Sequence, residues 1–254
     1  MARMRHLLRM IVEVCLDSLE SVAAAADAGA DRIELCSALT EGGLTPTLGT
    51  LIEARRIFPG VIVHMIRPRR GDFHYNTLEL EAMATDIQRA IEHGADEIIF
   101  GCLFLDGSVD RHANETLIKA CNGHPCVFHR AFDVTRSLSE SLETLIELGF
   151  KRVLSSGGHP NALEGAPALR DLGKQAKGRI EILPGGGITP ENAAIVAQQA
   201  EAAQLHLTAR RTHESPMIHR NPDLPMGATE VPGEYEFKTA SAECIRKVMA
   251  IPSD

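Results

Sequence analysis

Two short segments of the chain, Glu13-Val14-Cys15-Leu16-Asp17 and Arg32-Ile33-Glu34-Leu35-Cys36, alternate reactive and aliphatic side chains. A β-strand sends successive side chains to opposite faces. Glu13, Cys15 and Asp17 therefore share one face of their strand, and Arg32, Glu34 and Cys36 share one face of theirs. Adjacent strands lie about 4.8 Å apart, so two cysteines at matching positions can share one ion. Soft sulfur ligands favour Cu(I) over hard cations, and Met65 offers a thioether close by. The same cysteines also read as small buried hydrophobes, a frequent use of a free thiol.

A second set has acid–base and anion-holding character. His64-Met65-Ile66-Arg67-Pro68 and Phe128-His129-Arg130-Ala131-Phe132-Asp133 each place a histidine and an arginine at a strand end. Histidine exchanges protons near neutral pH, and Glu13 or Glu34 can serve as general acid or base. The guanidinium of Arg32 or Arg67 can hold a carboxylate or phosphate through two parallel hydrogen bonds. Glu13, Arg32, Glu34, His64, Arg67, His129 and Asp133 thus form a candidate catalytic set. A lone charge is costly to bury, so an Arg32–Glu34–Glu13 ion network that only fills the interior is the alternative.

Two glycine-rich turns form a third feature, Ser155-Ser156-Gly157-Gly158 and Pro184-Gly185-Gly186-Gly187-Ile188. Small residues let backbone N–H groups approach an anion. Ser156, Gly157, Gly186 and Gly187, assisted by Arg210, are the expected anion seat; tight turning alone is the alternative.

The elements that must position these residues follow from a repeated unit. Ala28-Gly29-Ala30-Asp31-Arg32-Ile33-Glu34-Leu35, His93-Gly94-Ala95-Asp96-Glu97-Ile98-Ile99-Phe100 and Leu148-Gly149-Phe150-Lys151-Arg152-Val153-Leu154 each end a helical pattern on Gly and begin a short apolar strand. Such joints indicate βα units around a parallel sheet. The pattern predicts strands near 10–15, 31–36, 61–66, 96–101, 125–130, 152–155, 179–184 and 204–208. Helices are predicted near 19–28, 47–58, 77–93, 111–121, 138–148, 161–174, 190–200 and 238–250. Eight such units in 254 residues make an α/β fold, a single (β/α)8 TIM barrel spanning 1–254. An open doubly wound sheet is the weaker choice, because no Gly-rich dinucleotide fingerprint follows the first strand. The loops 67–76 and 209–237 lie on the face where barrels place function, and the second is long enough to be a lid or partly disordered. Lys151 opens its strand at the opposite face, which disfavours a Schiff-base lysine.

The net charge of −8 argues against a nucleic-acid partner. No apolar run is long enough for a membrane span, and Glu13 and Asp17 interrupt any signal-peptide core. A cytoplasmic protein in which most of the six cysteines are free thiols is expected, its ligand a copper ion or a small anion.

Residues 10 to 210 resemble the CutC copper homeostasis protein family. The resemblance is carried by Glu13-Val14-Cys15-Leu16-Asp17-Ser18, by the run from Asp31 to Pro46, by Met65-Ile66-Arg67-Pro68-Arg69 with Gly71-Asp72-Phe73, by Phe128-His129-Arg130-Ala131-Phe132-Asp133, and by Pro184-Gly185-Gly186-Gly187-Ile188. It implies a TIM barrel, a cytoplasmic location, a homodimer or larger homo-oligomer, and Cu(I) bound at Cys15 and Cys36. Arg70 departs from the family pattern, which has Gly there, and the segment 205–210 matches more loosely. The alternative is a barrel enzyme of lyase, isomerase or hydrolase type, acting on a small anionic, phosphorylated or sugar-like substrate.

Overall fold

Helix boundaries along the chain are set by local chemistry. Ser18, Thr47, Asn76, Asp110, Ser137 and Ser241 each accept a hydrogen bond from a backbone N–H in the first turn of the helix they precede. Gly29 and Gly149 end their helices in the left-handed region, at φ 73° and 82°, and turn the chain into the next strand.

The computed structural model describes residues 8–221, 223–224 and 233–253. The barrel strands are β1 (Ile11–Leu16), β2 (Arg32–Leu35), β3 (Val61–Met65), β4 (Glu97–Phe100), β5 (Cys126–Phe128), β6 (Arg152–Ser155), β7 (Glu181–Pro184) and β8 (Gln204–Leu207). Between and after them lie α1 (Leu19–Ala28), α2 (Leu48–Ile57), α3 (Thr77–Glu92), α4 (Arg111–Ala120), α5 (Leu138–Leu148), α6 (Ala166–Ala176), α7 (Ala193–Ala200) and α8 (Ala242–Met249). Each strand pairs in parallel with the next, β8 pairs with β1, and a bridge between Gly185 and His206 joins β7 to β8 and completes the circle. The chain is a (β/α)8 TIM barrel.

Period two then sorts the side chains. Val12, Val14, Ile33, Leu35, Ile62, Ile98, Val153 and Leu205 pack outward against the helices. A separate interior cluster contains Cys15, Cys36, Val63, Met65, Ile99, Val127, Leu154 and Leu183. Full burial of each such aliphatic side chain contributes about 1.5–3 kcal/mol, so both surfaces of the sheet hold the barrel together.

Three helix starts differ from expectation; the first is α6, which begins at Ala166 after turns at 162–165. Residues 190–192 form turns, and α7 begins at Ala193. The last helix begins at Ala242 because β10 (Glu236–Ala240) pairs antiparallel with β9 (Arg210–Glu214). The 209–237 segment thus starts as one arm of a hairpin; its residues 222 and 225–232 lie outside those described. No helix among the described residues is long and apolar enough to cross a membrane.

Candidate functional site

Register places the two cysteine-bearing strands side by side. Glu13 pairs with Arg32 and Cys15 with Glu34, so the alternating faces coincide inside the barrel. Cys15 Sγ is hydrogen-bonded to Glu34 Oε1 at 3.1 Å and lies 3.9 Å from Cys36 Sγ. Cys36 Sγ is 3.4 Å from the same carboxyl oxygen. β8 adds His206, whose Nδ1 is 2.7 Å from Glu13 Oε1. Potential ligand atoms of Cys15, Glu34 and Cys36 lie within 4.8 Å of one another, as do those of Glu13, Glu34 and His206. Glu34 is common to both groups.

The charges in this cluster are fixed by its neighbours. Burial raises the Glu13 carboxyl, but Arg32, His206 and Arg152 outweigh it and hold the group at about 2. Burial disfavours a charged His206, yet Glu34, Cys15 and Glu13 together raise it well above the ordinary histidine value. A hydrogen bond from Cys36 lowers the Cys15 thiol against the effect of burial, His206 and Glu34 act in the same direction, and the group falls to about 5. Burial pushes Glu34 up, and the charge on Cys15 pushes it further. Burial also raises Cys36, reinforced by its hydrogen bond to Cys15. These neighbours favour the Cys15 thiolate and a charged His206, and push Glu34 and Cys36 towards their protonated forms.

A cavity of about 420 Å³ opens over Cys15, Glu34 and His206 on the side of the βα loops. Arg67, His129, Arg130, Gly186, Gly187 and Arg210 also line it. Arg67 donates to the carbonyl oxygens of Glu41, Gly43 and Gly71, bonds that position the guanidinium without neutralising it. Phe73, from the loop after β3, lies 5.1 Å beneath that guanidinium and 4.9 Å from the His129 ring. His129 Nδ1 accepts from the Ala131 N–H, so Nε2 carries the ring proton. Burial and the charge of Arg67 lower this histidine to about 3 and keep it neutral.

The predicted residues divide by height and face. Glu34, Arg67, His129, Gly186, Gly187, Arg210 and Cys15 line the cavity, and Cys36 sits behind Cys15. Arg32 does not reach it: it bonds Glu13 and Gln204 and borders a separate depression at the other end of the barrel. Glu13 has both oxygens engaged, by His206 and Arg32, and links the two ends. His64 alternates with Val63 and Met65, so it faces the helix layer, where burial lowers it to about 4. Asp133 accepts from Ser155, Ser156, Gly158 and Arg130, which makes it the anchor of the first glycine turn. That turn spends its N–H groups internally, since Ser156 and Gly158 donate to Asp133 and Gly157 to the Ser155 hydroxyl. The N–H groups of Ser156 and Gly157 thus serve the turn itself. Sequence reasoning missed His206 and Arg130. Alternation of His206 with outward Leu205 and Leu207 was the available signal for the first; Arg130 stood beside His129 but its reach into the cavity depends on the turn.

Fold and site together define a (β/α)8 barrel with a thiolate, carboxyl and imidazolium cluster under a cationic cavity at its C-terminal face. Residues 10–211 match the CutC family. A human relative, named copper homeostasis protein cutC homolog, is 44% identical over 241 residues, covering 95% of this chain and 88% of its own length. A family protein CutC from Bacteroides thetaiotaomicron is 41% identical over 243 residues, 95% of this chain and 98% of its own. The crystal structure of a CutC protein from Streptococcus agalactiae superposes with a TM-score of 0.75 at 37% identity, covering 78% of this chain and 98% of that one. The chain belongs to the CutC family.

Proposed function

We propose that this chain binds Cu(I) at Cys15 and Cys36 in a copper homeostasis role within a reducing, cytoplasmic setting. The observation that carries the reading is the pair of buried sulfurs 3.9 Å apart on neighbouring strands, one of them held as a thiolate. Thiolates are the sulfur form that ligates metal, and soft sulfur suits Cu(I). Glu34 Oε1, close to both sulfurs, supplies a carboxyl oxygen at the same point. The copper is cargo here, and each of these ligand atoms comes from one chain.

The proton inventory gives the reading a pH sign. Cys15 is ionised at neutral pH and Cys36 is not. Ligands must be deprotonated to bind, so uptake of Cu(I) releases the protons that burial favours on the ligating groups, that of Cys36 among them. Affinity therefore tightens as pH rises. The test is an anaerobic titration against a chromophoric Cu(I) chelator, with wild type and a Cys15→Ser/Cys36→Ser variant. The expected result is about one tightly held Cu(I) per chain, lost in the double variant. Equal stoichiometry and affinity in both proteins would end the proposal.

A further inference from the structure

We propose that the same cavity also seats a small organic oxyanion, a carboxylate or phosphate carried on a short oxygenated carbon skeleton, held by Arg67, His129, Arg130 and Arg210. Copper binding at the sulfurs uses none of these four residues, and clustered guanidinium groups repel a cation.

The first support is charge. The chain as a whole carries a net −8, yet this cavity is lined by Arg67, Arg130, Arg210 and His206 against Glu34 and Cys15. The second is unsatisfied polarity. Arg67 Nε, His129 Nε2 and Glu34 Oε2 are each shut off from solvent with no hydrogen-bond partner among the described residues. Their residues are only 7%, 3% and 2% exposed, and all three line the cavity. Polar atoms buried in this way are costly, and three around one cavity mark the place of a ligand that supplies their partners. Arg67 Nε and His129 Nε2 are donors that suit an oxyanion; Glu34 Oε2 suits a hydroxyl or carbonyl oxygen at the other end of the same molecule.

The arginines are positioned rather than consumed. Arg130 spends Nε on Asp133 and Nη2 on Ser156, which leaves Nη1 beside Gly186, 3.2 Å from where a Cβ would stand. Arg210 makes no side-chain hydrogen bond or ion pair among the described residues. Met65, Phe73, Leu154 and Ile188 supply apolar contact, and about 420 Å³ accommodates a molecule of metabolite size.

Calorimetric titration of the full chain at fixed ionic strength tests the inference, with glycerol 3-phosphate and inorganic phosphate as one arm and malonate and pyruvate as the other. Saturable binding of at least one probe is expected, and the arm that binds identifies the anion. Arg210→Ala removes no internal bond and should weaken that binding about tenfold; Arg67→Gln should weaken it at least as much. The Cys15→Ser/Cys36→Ser variant keeps Arg67, His129, Arg130 and Arg210 and should still bind the anion saturably, so loss of the copper reading leaves this one standing. No saturable binding by any of the four probes, or binding that Arg210→Ala and Arg67→Gln both leave unchanged, would overturn it.

Discussion

At the N-terminal end of the barrel, Arg152 bonds Glu97 and Glu181 at 2.8 Å each, Arg32 bonds Glu13 and Gln204, and Lys151 bonds Glu97. Three cations meet three carboxylates there, and the charges close on themselves. At the C-terminal end, Arg67 is held by carbonyl oxygens, His129 and Glu34 each keep one atom without a partner, and Cys15 is ionised. Both ends bury arginine and glutamate inside the same barrel. Residue type therefore does not separate these two ends of the barrel; completeness of partnering does. The lower network is a finished ion cluster, and the upper one is complete only with something added.

The largest effect is expected in the lower network. Arg152→Met removes a side chain that is 1% exposed and leaves Glu13, Glu97 and Glu181 short of a cation. Breaking a buried pair from one side costs about 3–5 kcal/mol, to be read as a lower urea midpoint, while Cu(I) stoichiometry stays that of wild type. Unchanged stability, or loss of copper binding in a folded variant, would break the contrast between the two ends.

Next comes His64, which faces the helices rather than either end of the interior. Burial lowers it from 6.5 to about 4. Between those values the unfolded chain takes up a proton that the folded chain refuses, so stability is lost as pH falls through that window. The contribution is about 3 kcal/mol. His64→Leu should make the stability curve less steep between pH 6.5 and 4 in denaturant titrations, the slope due to His129 remaining, and leave ligand binding alone. A variant with the same acid sensitivity as wild type would count against this placement.

The smallest effect is kinetic. At pH 6.5 Cys15 should be alkylated by iodoacetamide about tenfold faster than Cys36 or Cys102, as followed by peptide mass spectrometry. Burial pushes both of those thiols up, whereas Cys15 lies at about 5 and lines the cavity. Equal rates for the three would remove the thiolate from the upper cluster.

Much of this was legible in the sequence, and the rest was hidden for two reasons, height along a strand and contacts between loops. Period two identifies a face, and it correctly put Glu13, Cys15, Arg32, Glu34 and Cys36 inside the barrel. It gives no height. Arg32 opens β2 and Glu34 comes two residues later, which is the difference between the closed network and the cavity. His64 and His206 were decidable by the same rule, the first outward with Ile62 and the second inward between Leu205 and Leu207. Asp133 and the Ser156–Gly157 turn were not, because their hydrogen bonds join a loop after β5 to one after β6, contacts that no local pattern encodes.

The claim that the upper cluster awaits a partner is tested most directly by X-ray absorption spectroscopy of the Cu(I)-loaded chain, prepared anaerobically. The account predicts sulfur neighbours from both Cys15 and Cys36 in the first shell of the copper, and their disappearance in the Cys15→Ser/Cys36→Ser variant. A first shell of nitrogen and oxygen alone, or the same sulfur signal in that variant, would contradict it.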